Sequence, residues 1–332
     1  MKALLLPALL LLTGCSSFSY YTQAIRGQAE ITFAKKSIAR VLADPETSGE
    51  LAEKLRLSQE IVDFAEQELG LPSSGSYRHY ADLKRDHVVF IVHAAPKFSL
   101  EPHTWWYPVV GSQNYRGFFS KEDAQKAVAN LQARGFETYL GGVNAYSTLG
   151  FFHDPILNTF IDYPQVDFAE LIFHELTHHR YYEKEETAFN EALAEVVARE
   201  GVRRWLRRRG EQEALHAYEL RLMRRSQIRR AIEESIARLK ILYASEHPQA
   251  EMRRRKEAEM AALKETIQNL YAGWQQKPNH FLSTPLNNAR LNAFTTYEAL
   301  VPPLQALLAR HQGNLNSFLE EIEKNGPSLL AN

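Results

Sequence analysis

Apolar and polar positions change their spacing three times along the chain. From Tyr20 to Leu42 and from Leu51 to Leu69 apolar residues recur at helical intervals; Asp44-Pro45-Glu46-Thr47-Ser48-Gly49 breaks the first run, and Gly70 with Pro72 ends the second. The middle is β-rich: His87 to Ala94 (HVVFIVHA) and Thr104 to Val110 (TWWYPVV) read as strands, and Gly135 to Leu140 leads into a further strand over Gly142 to Leu149. Between them Ser120, with Asp123 three residues on, opens a helix that runs to Arg134. Val166 to Tyr182 contains no Gly or Pro and carries Val166, Phe168, Leu171, Ile172, Phe173 and Leu176 around nearly its whole circumference, the pattern of a buried helix. A short polar turn, Tyr181 to Thr187, joins it to a second helix over Ala188 to Trp205. Glu211 to Ala244 and Ala250 to Trp274, separated by His247-Pro248, predict a long helical hairpin, and two short helices follow Pro302-Pro303. The expected fold is α+β and predominantly helical, with a small mixed β-sheet ahead of the hairpin at 166–208 and an all-helical C-terminal region. The expected division is 1–14, 15–75 and one domain over 76–332, itself made of 76–165, 166–208 and 209–332.

The buried helix carries chemistry that apolar packing does not need. His174 and His178 stand four residues apart, so both imidazoles project from one face toward a single metal ion, with Glu175 at its edge. A structural tetrahedral site would need two further ligands, whereas a catalytic one needs a single protein ligand and leaves a position for water. Folding the next helix back antiparallel brings Glu191 to face His178, making it the natural third ligand of one Zn2+ ion. Glu195, one turn further, lies on the same face and is placed to accept from the free ring N–H of a liganding His, although a solvated carboxylate has the same pattern. The bland reading of the cluster is a set of core polar groups satisfied by hydrogen bonds. Beyond it, His153 and Asp154 are near enough in sequence to approach the helix.

Composition adds little until the first residues are considered. The 332 residues are 45% hydrophobic and 24% charged, an ordinary globular balance, and a net charge of −1 gives no global attraction to nucleic acid. The arginine runs at 207–209, 224–225, 229–230 and 253–255 are interleaved with Glu233, Glu234, Glu251, Glu257 and Glu259, as on solvated helix faces, and leave a protein partner on the 211–274 hairpin open. The lone cysteine, Cys15, excludes a disulfide framework and a Cys-based metal site. Met1-Lys2, the apolar run Ala3 to Leu12 and Leu12-Thr13-Gly14-Cys15 have the form of a lipoprotein leader with its lipidation site. The expectation is acylation at Cys15 and attachment to a membrane of the cell envelope; Ser16 after it favours the outer membrane, facing the periplasm.

His-Glu-Leu-Thr-His at 174–178 and Asn-Glu-Ala at 190–192 resemble the two zinc-binding helices of the gluzincin metallopeptidases, in which the Glu after the Asn is the third ligand and an acidic residue four positions on supports a His. The interval between the helices is several residues shorter than in thermolysin. More of the chain resembles a family of bacterial lipoproteins described as predicted aminopeptidases: Gly14-Cys15-Ser16, Tyr20-Tyr21, Arg26-Gly27-Gln28, Tyr107 to Gly111, Tyr115-Arg116-Gly117, Ala145 to Gly150, Gly201 to Leu206 and Asn287 to Leu291. The resemblance implies a zinc aminopeptidase acting on peptides, with Glu175 as general base. It implies a substrate-binding sheet edge at 142–149 that makes Tyr146 and Ser147 cleft residues, and a downstream tyrosine, Tyr297, as oxyanion donor with Arg290 nearby. A non-catalytic lipoprotein scaffold, and an endopeptidase or a hydrolase of peptidoglycan peptides, are the alternatives.

Overall fold

The structure is a computed structural model and describes residues 5–107, 111–145, 148, 153–278, 282–295 and 300–330. Tyr146, Ser147 and Tyr297 lie outside the described residues, as does the side chain of Cys15. The chain begins with α1 (Leu5–Ala34), β1 (Lys36–Ser37), α2 (Ile38–Leu42) and α3 (Gly49–Glu68). The single helix expected over 20–42 is interrupted because Ser37 leaves helical geometry: its hydroxyl accepts from Arg40 N and so caps α2, while Lys36 and Ser37 pair with a strand. Ser48 caps α3 in the same way through Leu51 N. Among the described residues no helix is long and apolar enough to cross a membrane.

The β-rich middle forms three small sheets. β2 (His79–Ala81) pairs antiparallel with β1 and parallel with β8 (Ile156–Leu157), giving one mixed sheet. β3 (Val89–Pro96) is the centre of an antiparallel sheet between β6 (Arg116–Phe118) and β7 (Phe136–Val143), and β4 (Trp105–Tyr107) pairs with β5 (Gly111–Gln113). The helix opened by Ser120, α4 (Lys121–Ala133), packs Ala124 and Leu131 on this sheet against Val92, Ala94 and Phe118. The strand expected to follow Leu140 is the same strand continued, and it stops at Val143. Asn144 ends it, its side chain held by His87 and its carbonyl by the Thr159 hydroxyl, so that carbonyl is not offered to a neighbouring strand. The last strand before the metal helix is therefore β8, not 142–149.

From there the chain is helical. α5 (Gln165–Arg180) and α6 (Thr187–Arg209) form an antiparallel pair whose buried faces, Phe168, Ile172, Phe173 and Leu176 against Phe189, Leu193, Val196 and Val197, make the centre of the main core with Leu55, Ile61 and Leu69. α7 (Gln212–Tyr243) and α8 (Gln249–Gly273) form the expected hairpin, with its own apolar cluster around Ile232, Leu239, Leu263 and Ile267. The Asn287-Asn288-Ala289-Arg290 segment docks the following α9 (Asn288–Thr295) on the sheet: the Asn288 amide donates to the Pro96, Lys97 and Ser99 carbonyls at 3.0 to 3.1 Å, and Asn287 donates to Thr138 O. α10 (Val301–Arg310) and α11 (Leu315–Asn325) close the core.

Gly201 sets how closely α6 approaches its neighbours. A β-carbon there would stand 2.8 Å from both Leu69 Cδ1 and Phe173 Cδ2, two fully buried side chains without free space to retreat into. Gly201→Ala gains roughly 1 kcal/mol of helix propensity but overpacks the crossing at a cost of roughly 1 to 3 kcal/mol, so thermal unfolding should show a net loss of about 1 kcal/mol.

Candidate metal centre

α5 presents His174 and His178 from consecutive turns, their rings 5.0 Å apart and at 85° to each other. α6 returns Glu191 between them: His174 Nε2 lies 3.2 Å from Glu191 Oε2, and His178 Nε2 lies 3.6 Å from Glu191 Oε1. One donor atom from each of the three residues falls within 4.8 Å of the others. Two bonds of about 2.05 Å meeting at a tetrahedral angle leave their donor atoms about 3.3 Å apart, so both carboxylate contacts have the spacing of neighbours on one zinc-sized ion. Two neutral imidazoles and a carboxylate also match such an ion chemically. The cluster can hold a metal ion.

Asn190 holds this geometry in place. Its side chain, in a residue 1% exposed, accepts from Glu183 N at 2.9 Å and donates to Glu183 O at 2.7 Å, so it clamps the turn between the helices. The turn is braced from outside by Arg180, which donates to Gly70 O and pairs with Glu323. Across it lies the β4–β5 hairpin, where Gly111, at φ +70°, passes so close to Glu185 that a β-carbon would stand 2.8 Å from Glu185 Cγ.

Burial sets the electrostatics. For His174, burial lowers the pKa, but the Glu191 hydrogen bond and the charges of Glu191, Glu175 and Glu195 outweigh it and raise it to about 9. His178 is pushed down to about 4 by burial, against the pull of Glu191. Glu191 lies below its ordinary value: burial raises it, and the two imidazoles more than offset that. In effect one proton, on His174, sits where a cation would sit, and binding a metal would release it. Glu175 is raised to about 7, first by burial, which the His174 charge opposes, and then by the Glu191 and Asp154 carboxylates. A carboxyl that titrates near neutrality beside the ligands is poised to accept a proton.

Glu195 lies where its charge acts on His174, yet its carboxylate is engaged by arginines, 2.5 Å from Arg199 and 3.6 Å from Arg225. His178 Nδ1 is buried and finds no acceptor among the described residues. Of the two loop residues, Asp154 reaches the site and His153 does not. The Asp154 carboxylate accepts from Thr148 N and Oγ1 and lies 3.9 Å from His179 Nε2, whereas His153 stacks over Gly75 and its carbonyl accepts from Lys35. Arg290 donates to the Thr284 and Pro285 carbonyls and lies over the Tyr139 ring. Sequence spacing gave no sign of the aromatic wall. Tyr77 stacks on His179, and Tyr115 and Tyr182 both feel the Glu191 charge, with burial as the first cause of their raised pKa values. Tyr115 is backed by the buried His93, 5.7 Å away ring to ring, whose pKa burial lowers to about 4. Tyr115 belongs to Tyr115-Arg116-Gly117, one of the motifs that carry the resemblance to the lipoprotein family.

The site thus defines a helical hairpin on which two imidazoles and a carboxylate converge, with the half-buried Glu175 next to His174 in the chain. Over residues 19–327 the chain matches the family described as "Putative aminopeptidase", and it belongs to that family. No curated protein matches the chain, and no solved structure does. The family description points to a peptidase.

Asn190→Ala removes both hydrogen bonds to Glu183 and leaves that turn's buried backbone groups unpaired, at a cost of roughly 1 to 3 kcal/mol. With the carboxylate of Glu191 no longer fixed, metal affinity should fall by about 10- to 100-fold, read by competition with a chromogenic chelator.

Proposed function

We propose that the protein is a zinc-dependent aminopeptidase that hydrolyses peptide bonds with Glu175 as general base. One observation carries the reading: the convergence of His174, His178 and Glu191 with Glu175 set beside them and held near neutrality. A structural metal site has no use for such a Glu, which argues against a non-catalytic scaffold. The donor set suits zinc, which when bound polarises a carbonyl and acidifies water in its open position.

The chain's own groups supply the rest. Glu175 takes a proton from the attacking water and returns it to the leaving amine, a single residue serving both transfers. Burial first, and then the Glu191 and Asp154 carboxylates, raise it above an ordinary surface acid. Tyr115, half-buried against His93 and within reach of the charges of Glu191 and Glu175, would be the phenol that donates to oxygen as charge develops there. Tyr297, to which the resemblance gives that role, lies outside the described residues. Action at a free N-terminus, rather than within a chain, rests on the family description. The leader pattern ending at Cys15 supports anchoring at the cell envelope, where peptides of that compartment would be the substrates.

Glu175→Gln should keep stoichiometric zinc and lose turnover of a peptide library by orders of magnitude, while His178→Ala and Glu191→Ala lose the metal itself. Full peptidase activity in Glu175→Gln would remove the assigned base, and unchanged zinc content in Glu191→Ala would remove the third ligand. Tyr115→Phe should lower kcat by about 100-fold with zinc content unchanged, and an unaltered kcat would exclude it as the donor.

A further inference from the structure

Over residues 20–34, α1 has two sides of different character. One side docks on the β-layer: the Arg116 guanidinium lies over the Tyr20 ring, Gln23 accepts from Phe119 N, Gly27 passes so close to the Phe119 ring that a β-carbon would have no room, and Ile31 is buried. These positions recur every three or four residues and so mark a single face. Away from it stand Tyr21, Ile25 and Phe33, which are 43%, 71% and 88% exposed. We propose that this outward face of α1 is a membrane-contact surface that lies along the headgroup region of a phospholipid bilayer, a proposal that rests on the reading of Cys15 as the lipid anchor.

Single exposed apolar side chains are ordinary on a protein surface, but these three share a face that lacks the charges a solvated helix carries. Over 21–33 the sequence holds only two charged residues, Arg26 and Glu30. Glu30 pairs with Arg85 on the protein body at 3.2 Å, which leaves Arg26, at the edge of the outward face, as its one charge. A cation is the charge that suits a surface of anionic phospholipid. Between Ile25 and Phe33 the face continues through Ala29 and Thr32, and the Thr32 hydroxyl donates to Gln28 O within the helix at 2.9 Å, so it asks little of water. The exposed faces of α7 and α8, by contrast, are dense in Arg and Glu.

Position along the chain selects a bilayer as the occupant. Cys15 lies on the same helix, and at about 1.5 Å per residue Ile25 and Phe33 follow it by about 15 and 27 Å. Were α1 to stand upright on the membrane, Phe33, the most exposed of the three, would be held well out in water. Lying flat instead brings Tyr21, Ile25 and Phe33 together to the depth of about 5 to 10 Å at which interfacial helices bury an apolar face. Acyl chains alone leave the attached domain free to swivel. A second contact along α1 would fix which side of the protein faces the lipid, with the β-layer held on the side of the helix away from it.

Acylation consumes the chain's only thiol, Cys15, so a cysteine introduced elsewhere takes a label alone. The acylated holoprotein carrying Ile25→Cys, Phe33→Cys or, as control, Ala309→Cys on the exposed side of α10 is labelled with a nitrobenzoxadiazole fluorophore and reconstituted into phosphatidylethanolamine–phosphatidylglycerol vesicles. Labels at 25 and 33 should be shielded from aqueous iodide about fivefold or more relative to the label at 309, and quenched by a lipid spin-labelled at its headgroup. Unaltered melting temperatures would show that the variants are folded. Labels at 25 and 33 as open to iodide as the control would overturn the proposal and leave the anchor standing. Labels shielded from iodide yet out of reach of the spin-labelled lipid would also overturn it, since a second copy or another protein would then cover the face. Cys15 found unmodified by mass spectrometry would remove the anchor and this proposal together. No outcome depends on peptidase activity, so the aminopeptidase reading stands or falls separately.

Discussion

One carboxylate shared by two imidazoles in a place with little water governs the rest of this structure. Glu191 contacts His174 and His178 at 3.2 and 3.6 Å, in a site where burial alone would force all three toward their neutral forms. Desolvating such groups is costly unless they are paired or ligate a cation. Burial lowers both histidines; at His174 the Glu191 hydrogen bond and the surrounding carboxylate charges outweigh it, and at His178 they do not, so the two rings are displaced in opposite directions. Burial first, and then the Glu191 and Asp154 charges, raise Glu175 against the opposing pull of His174.

The framework keeps that carboxylate from drifting. A turn of a few residues between α5 and α6 leaves little slack, and Asn190, immediately before Glu191, ties the end of the turn to the start of α6. Gly201, further along the same helix, lets α6 close on Phe173, the residue before His174, so the packing of the core and the placement of the ligands are one problem. The β-layer approaches from the opposite side. Its β4–β5 hairpin lies against the turn at Gly111, and the loop that follows carries Tyr115 to the site.

Much of this was legible in the sequence because it depends on helical periodicity. Two His at a spacing of four, a breaker-free apolar helix and a short polar turn together fix the antiparallel hairpin, and with it Glu191. The long hairpin over α7 and α8 was equally plain from its apolar spacing and from His247-Pro248. What escaped depends on contacts distant in sequence. The break after Ala34 arises from Ser37 capping a new helix, the end of β7 from Asn144 being held by His87 and Thr159, and the approach of Asp154 from Thr148 and Ser76 fixing its loop. The aromatic wall of Tyr77, Tyr115 and Tyr182 comes from three separate elements, which no local pattern links.

Zinc-edge X-ray absorption on the purified protein would probe the central claim most directly. The account predicts one zinc per chain bound by light atoms only, two of them imidazole nitrogens at about 2.0 to 2.1 Å and the others oxygens at similar distance. A first coordination sphere with fewer than two imidazoles, or containing sulfur at about 2.3 Å, would contradict it.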